Sequence, residues 1–298
     1  MNMRSLRRSL LYVPGSSGRM IEKSLGADAD SLIFDLEDAV SPQEKDNARR
    51  NVADAIPRAR ETGKEIIVRI NAADSCLGIR DLLEVVPQRP DAVIVPKAAE
   101  GAIVTADTVI GAIERELGWE NGAVALVPLM ETADSIVRAA TIVGAARRVD
   151  GVQFGAEDLT KELGVARTSP GDELQYARSV LVFVGRARGL DVIDSPFVDH
   201  ADAASLEAEA RHVRALGMTG KTCIHPAQIE TVNAAFTPAA DEVAHARRVV
   251  EAFEQALRLG KGACSLDGKM IDNPIAERAR QLLAKDARIR AGRPGGGA

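Results

Sequence analysis

The sequence predicts an α/β fold, a TIM (β/α)8 barrel carrying a C-terminal helical lid, on three observations. Eight short runs rich in Val, Ile and Leu are spread along the chain as far as Pro226. Helical patterns separate these runs. Most of the runs end in a charged or polar residue, which is where barrels of this kind carry their chemistry.

The eight runs begin at Ser9 (S-L-L-Y-V-P-G), Ser31 (S-L-I-F-D-L-E-D), Glu65 (E-I-I-V-R-I-N), Ala92 (A-V-I-V-P-K), Ala123 (A-V-A-L-V-P-L-M-E), Asp150 (D-G-V-Q-F-G-A-E-D), Asp191 (D-V-I-D-S-P-F) and Gly220 (G-K-T-C-I-H-P). Near-continuous apolar runs suit parallel strands covered on both faces. Between them, helical spacing appears at Ile21 and Leu25, then at Ala48, Val52, Ala55 and Ile56. It returns at Ile103, Val109, Ile110 and Ile113, and at Ile136, Ala139, Ala140 and Val143. Tyr176, Val180, Val184 and Ala187 mark the next helix, and Leu206, Ala210, Val213 and Leu216 the last of the series. Strand starts recur about every 20–40 residues, the spacing of βα units. Eight units favour a closed barrel over an open doubly wound sheet, which the count alone leaves in play.

Past Pro226 the pattern changes. Thr237-Pro238 offers an N-cap and first-turn pair, followed by Ala246, Val249, Val250, Phe253 and Leu257 at helical spacing. An irregular stretch G-K-G-A-C-S-L-D-G-K-M-I-D-N-P leads to a final helix from about Ile275. The expected division is a catalytic barrel over 1–237 and a helical lid over 238–298, its tail from Ala291 disordered.

The bulk composition sets limits. With 298 residues, 46% hydrophobic, the chain can bury an ample core, and only 3% aromatics make that core aliphatic. A net charge of −5 argues against a nucleic-acid partner. Cys76, Cys223 and Cys264 are too far apart in sequence for a metal or disulfide framework, so a reducing cytoplasm is the natural compartment. Arg4, Arg7 and Arg8 precede an apolar run that stops at Pro14, too short for a signal peptide. No run is long enough to span a membrane.

At the strand ends stand Tyr12, Glu37 and Asp38, Arg69 and Asn71, Lys97, Glu131, Asp158, Ser195 and His225. Glu131 and Asp158 end adjacent strands and make a hard, oxygen-rich pair suited to Mg²⁺ rather than Zn²⁺; the alternative pairs Glu131 with Lys97 and Asp158 with Arg69. An arginine among apolar neighbours, as Arg69 is, needs acids or an anionic ligand. Glu37 and Asp38 can orient it or hold metal-bound water, or else cap a helix, for which Ser41 before Pro42 is better placed. Lys97 reads as a counter-ion, because the acids around it raise its pKa, against the needs of a Schiff-base amine. The Gly/Ser loop Pro14–Met20 is a weak anion-binding motif and equally an ordinary turn. His225 bonds locally, and Asp272 reads as the N-cap of the last helix.

These motifs together resemble the citrate lyase β-subunit-like family, within the HpcH/HpaI aldolase and malyl-CoA and citramalyl-CoA lyase group. The resemblance runs end to end through R-S-L-L-Y-V-P-G, D-L-E-D-A-V with E-K-D-N-A-R-R, V-R-I-N, V-P-K, M-E-T, F-G-A-E-D-L, S-P-G-D-E-L-Q-Y-A-R, I-H-P-A-Q-I and D-G-K-M-I-D-N-P. It implies that Glu131 and Asp158 bind Mg²⁺ directly, that Glu37 and Asp38 surround the metal and Arg69, and that Arg69 holds the thioester oxygen. It implies that the C-terminal lid covers a neighbouring subunit's site and supplies Asp272 as acid/base, in a homotrimer or dimer of trimers. Arg19 and Lys23 then meet coenzyme A phosphates, unless they are a solvated helix face. The implied reaction is Mg²⁺-dependent cleavage of a 3-hydroxyacyl thioester, of malyl-CoA or citramalyl-CoA type, to acetyl-CoA and a 2-oxo acid. Citryl thioester on an acyl-carrier protein, thioester hydrolysis and a malate synthase-like condensation are the alternatives.

Overall fold

The computed structural model describes residues 6–168 and 171–291. The chain divides into two compact units, 1–236 and 237–298.

In the first unit all eight expected runs are strands: β1 (Ser9–Pro14), β2 (Ser31–Asp35), β3 (Glu65–Arg69), β4 (Ala92–Val95), β5 (Ala125–Met130), β6 (Gly151–Phe154), β7 (Asp191–Asp194) and β8 (Gly220–Cys223). They pair in chain order, all parallel, and β8 returns to β1 with Leu10 opposite Thr222. That last pairing excludes the open sheet and makes the fold a TIM barrel.

Side chains of a strand alternate between faces, and the core divides accordingly. Leu11, Val13, Leu32, Phe34, Ile66 and Val68 face the surrounding helices. Leu10, Ile33, Ile67, Ile94, Val127, Leu129 and Ile193 fill the barrel interior. Two residues beyond Leu10, Ile33, Ile67 and Leu129, on the same inward face, come Tyr12, Asp35, Arg69 and Glu131. The period of two thus sets a polar layer on top of an aliphatic plug.

The opposite end is closed by charge. Arg7 is 5% exposed and donates to Glu65 at the start of β3 and to Asp150 just before β6, with bonds of 2.7–3.1 Å. Ser31 donates to the same Glu65 at 2.7 Å, and Arg8 pairs with Asp30 at 2.7 Å. The basic N-terminal residues Arg7 and Arg8 are therefore structural. Gly220 passes so close to this plug that a Cβ would stand 1.7 Å from the Arg7 carbonyl oxygen.

A helix over Cys76–Val85, absent from the periodicity reading, fills the β3–β4 connection. The expected helix over Gln175–Arg188 is present and buries Ala177, Arg178 and Leu181, leaving Tyr176 72% exposed; of the expected stripe, Val180 and Val184 pack half-buried against the core while Tyr176 and Ala187 face outward.

In the second unit, helices Ala240–Arg258 and Asn273–Ala291 pack around Val249, Phe253, Ile271 and Ala276. The first helix begins at Ala240, later than Thr237-Pro238 suggested. The supposedly irregular stretch contains an antiparallel hairpin, Cys264–Leu266 with Lys269–Ile271. Asp267 (φ 51°) and Gly268 (φ 76°) form its left-handed turn, as an Asp-Gly pair between strands favours. The tail expected to be disordered lies, from residue 292, outside the described residues. Among the described residues no helix is long and apolar enough to cross a membrane.

Candidate active site

The polar layer lines a cavity of about 350 Å³ at the C-terminal mouth of the barrel. Its centre is Arg69, at the end of β3. Nε donates to Asp35 Oδ1 at 2.7 Å and Nη2 to Oδ2 at 2.6 Å, a two-pronged pair that fixes the guanidinium plane. Nη1 stands 3.0 Å from Glu37 and 3.8 Å from Asp38. The guanidinium also stacks on the Tyr12 ring, 4.8 Å from its centroid. Burial opposes the charge, but Tyr12, Asp35 and Glu37 outweigh it and hold the Arg69 pKa well above its ordinary value.

Asp35 is the residue that sequence reasoning left without a role. It is 1% exposed, and besides Arg69 it accepts the main-chain N–H groups of Glu37 (2.9 Å) and Ala39 (3.0 Å). What brings the pair together is strand register, with Asp35 directly opposite Arg69 on the neighbouring strand. Glu37 is the secondary partner of Arg69. Asp38, with its side chain 61% exposed, is only a distant one.

Glu131 follows β5 and is 4% exposed. Its Oε1 accepts the main-chain N–H of Lys97 at 2.6 Å. Burial, with Glu37 and Asp158 nearby, pushes its carboxyl up to about 7. Lys97 turns its ammonium to Glu37 at 2.9 Å and lies 3.9 Å from Asp158. Burial lowers its pKa and Glu37 raises it, and the net direction is upward, as a counter-ion requires. The alternative pairings are not formed as expected, since Glu131 takes the backbone of Lys97 rather than its ammonium, and Asp158 faces Lys97 rather than Arg69. Glu37 is also pushed up, by burial, against Arg69 and Lys97.

Asp158 lies in the first turn of the helix Ala156–Leu163, whose N-cap Gly155 makes no side-chain cap. The Gly155 N–H is taken by the Met130 oxygen at 2.9 Å, while Ala156 and Glu157, in the first turn of this helix without a capping side chain, line the cavity. A Cβ on Gly155 would stand 2.5 Å from Glu131 Cβ and 3.0 Å from Oε2. Only glycine lets this helix approach the buried carboxylate.

Among the described residues no three His, Cys, Asp or Glu side chains form a metal cluster. The donor set is smaller: Glu131 and Asp158, both within reach of Lys97. A buried carboxylate with a raised pKa beside other acids favours a bound cation. Two oxygen donors with a ligand completing the shell suit Mg²⁺, so the residues fit that ion.

Other predicted residues lie apart from this cavity wall. Arg19 and Lys23 are exposed on the helix Gly18–Leu25, whose cap is Ser17 accepting from Met20. The Gly/Ser loop is thus a capped turn, and Gly15 sits where a Cβ would meet Asp35 O at 2.8 Å. Ser41 opens a 3-10 turn without a side-chain cap bond. His225 accepts locally from Ala227 N–H at 3.2 Å. In the second unit, Asp272 caps the last helix, accepting from Ile275 N–H at 3.2 Å through Oδ1.

The family model for HpcH/HpaI aldolase/citrate lyase matches residues 8–226. The chain is 40% identical over 280 residues to the citrate lyase subunit beta of Escherichia coli (strain K12), covering 94% of this chain and 93% of that one. It is 38% identical over 284 residues to a (3S)-malyl-CoA thioesterase of Cereibacter sphaeroides, covering 95% and 96%. Among solved structures, protein CitE from Mycobacterium tuberculosis in complex with magnesium, acetoacetate and coenzyme A is similar, with TM-score 0.77 and 30% identity over 95% of this chain and 98% of that one.

Proposed function

The chain belongs to the HpcH/HpaI aldolase/citrate lyase family and is an enzyme of its oxo-acid lyase type, and from that premise we propose that it is a Mg²⁺-dependent carbon–carbon lyase acting on a 3-hydroxyacyl thioester of malyl-CoA or citramalyl-CoA type. The observation that carries this reading is the opposition, across one cavity, of a carboxylate-braced arginine (Arg69) and a buried carboxylate (Glu131) beside Asp158.

Mg²⁺ held by Glu131 and Asp158 would supply Lewis-acid polarisation of the substrate hydroxyl and carboxylate. Arg69, fixed by Asp35 and Glu37, stabilises the negative charge that develops on the thioester oxygen as the carbon–carbon bond breaks. Its orientation is set before substrate arrives, so little reorganisation is needed during the reaction. The first helical turn at Ala156–Glu157, which has no capping side chain, suits the substrate carboxylate. Lys97 opposes the upward pull of burial on Glu37 and holds its carboxylate close to Arg69. Asp272, supplied by a neighbouring copy of the chain in a homotrimer or dimer of trimers, exchanges the proton at the acetyl carbon. Arg19 and Lys23 meet the phosphates of coenzyme A. Products are acetyl-CoA and a 2-oxo acid, in a cytoplasmic setting that suits three free cysteines.

The two groups of relatives frame the alternatives. Malyl-, citramalyl- and citryl-CoA, each incubated with Mg²⁺, are to be followed for both 2-oxo acid and free thiol. Release of 2-oxo acid with acetyl-CoA supports the lyase. Free thiol without acetyl-CoA replaces it with a thioester hydrolase. Inertness with every CoA ester but turnover of a citryl acyl-carrier protein replaces it with a citrate lyase subunit.

A further inference from the structure

The stretch E-K-D-N-A-R-R follows the Glu37–Asp38 turn by only a few residues, and none of its side chains enters the mechanism above. The structure shows what it does. Lys45 opens the helix Lys45–Arg60, and its ammonium donates to the main-chain oxygens of Leu36 and Glu37, each at 2.7 Å. Those two carbonyls belong to the turn leaving β2. The same turn is held from its other side by Asp35, which accepts from the N–H groups of Glu37 and Ala39.

Behind Lys45 stands a second tier. Asn71 Nδ2 donates to the same Leu36 oxygen at 3.0 Å and to Asp81 at 2.6 Å. Arg49, one helical turn beyond Lys45, donates to Asp81 at 2.8 Å. Asp81 is fully buried and Arg49 nearly so. This frame ties the helix Lys45–Arg60, the helix Cys76–Val85 and the end of β3 to one turn.

We propose that Lys45 is a positioning residue: by clamping the Leu36 and Glu37 carbonyls it fixes the turn that holds the Glu37 carboxylate between Arg69 and Lys97. A neutral side chain there leaves Leu36 O with Asn71 and Glu37 O with the Val40 N–H, 3.0 Å away. The turn therefore survives but loses its lateral anchor. The Lys45 charge also stands among Asp35, Glu37, Asp38 and Asp81, and burial lowers its pKa against their pull. Removing it loosens the turn and sharpens the mutual repulsion of those acids.

The catalytic part of this inference rests on the proposed lyase function; the positioning part does not. The test compares wild type, Lys45→Met and Lys45→Arg as full chains, by amide hydrogen exchange over residues 36–40 and by steady-state kinetics on whichever thioester the wild type cleaves. Lys45→Met should exchange faster over 36–40 with the rest of the barrel unchanged. Its kcat should fall about tenfold to a hundredfold, the scale of a misplaced active group, with KM changed less than about threefold. Lys45→Arg, which can still donate to both carbonyls, should recover most of both. Unchanged exchange over 36–40 in Lys45→Met overturns the proposal. Raised exchange spread across the whole barrel, with kcat intact, overturns it in favour of a general stabilising role. A wild type inert on every thioester refutes the lyase reading, while the exchange data still decide what Lys45 does.

Discussion

Lys97 holds Glu131 by its backbone: the main-chain N–H donates to the carboxylate at 2.6 Å from a residue whose φ is 44°. A left-handed conformation is costly for a side chain with a Cβ, and at this position it turns the N–H toward β5 while the ammonium points to Glu37. One residue thereby joins two carboxylates through two different groups.

The two groups can be separated by substitution. Lys97→Met keeps the N–H bond to Glu131 and removes the charge beside Glu37 and Asp158. Loss of a nearby cation raises carboxyl pKa values, so the acidic limb of the kcat/KM profile should move to higher pH. A profile that superimposes on that of wild type would show that the ammonium is electrostatically idle.

Glu131 gives a stability signature of its own. Its native carboxyl lies near 7, above the ordinary 4.5, so the folded state keeps a proton that the unfolded chain releases. The contribution of Glu131 to metal-free stability should be fully present below that ordinary value and be lost as pH rises through it toward 7, by about 3 kcal/mol at most. Urea denaturation in chelator should show this slope, Glu131→Gln should flatten it, and added Mg²⁺ should restore stability at the high-pH end of wild type only.

Arg69→Lys tests the brace. A lysine cannot reproduce the fork onto Asp35, and Asp35 is left buried with a poorer partner. We expect kcat to fall about a hundredfold to a thousandfold and stability to drop by about 3 kcal/mol. Both are read from one preparation, by kinetics and by the urea midpoint.

Gly155→Ala asks whether close approach matters. The added methyl would stand 2.5 Å from Glu131 Cβ, while the Gly155 φ of −114° is one that alanine adopts freely. Any effect is therefore steric. Mg²⁺ affinity measured by calorimetry should fall about tenfold or more, with the helix content unchanged.

Different substitutions separate the observed N-cap of Asp272 from the acid/base role proposed for it. Asn keeps an N-cap acceptor, whereas Ala loses it at a cost of about 1 kcal/mol. Asp272→Asn should thus lose activity at an unchanged melting temperature, and Asp272→Ala should lose both. Mixing Asp272→Ala with Arg69→Ala chains should restore part of the activity when the site is shared between subunits. No recovery after confirmed exchange would count against sharing.

The barrel was legible in the sequence because eight aliphatic runs, each ending in a polar residue, leave few other solutions. Closure was the one step the runs could not supply, since it depends on Leu10 meeting Thr222 far along the chain. Within the site, Glu131, Asp158 and Arg69 stood out as charges at strand ends. Asp35 did not, because its partner lies on the next strand and only the register brings them together. The helix Gln175–Arg188 was legible as a helix, but Q-Y-A-R-S-V-L-V-F-V is apolar on more than one face, so its most buried residues, Ala177, Arg178 and Leu181, lay outside the stripe that marked it. The hairpin at Asp267-Gly268 was overlooked although Asp-Gly is a strong turn signal, because its strands have only three residues each.

The Arg7 plug also measures how non-local the barrel's floor is. Arg7 lies 58 positions before Glu65 and 143 before Asp150, and Gly220 of β8 passes against its carbonyl oxygen. One side chain and its own backbone thus join the starts of β3, β6 and β8. Closing that floor costs loop-closure entropy over almost the whole length of the barrel, so the contacts that seal the bottom are the ones with the largest chain-entropy cost.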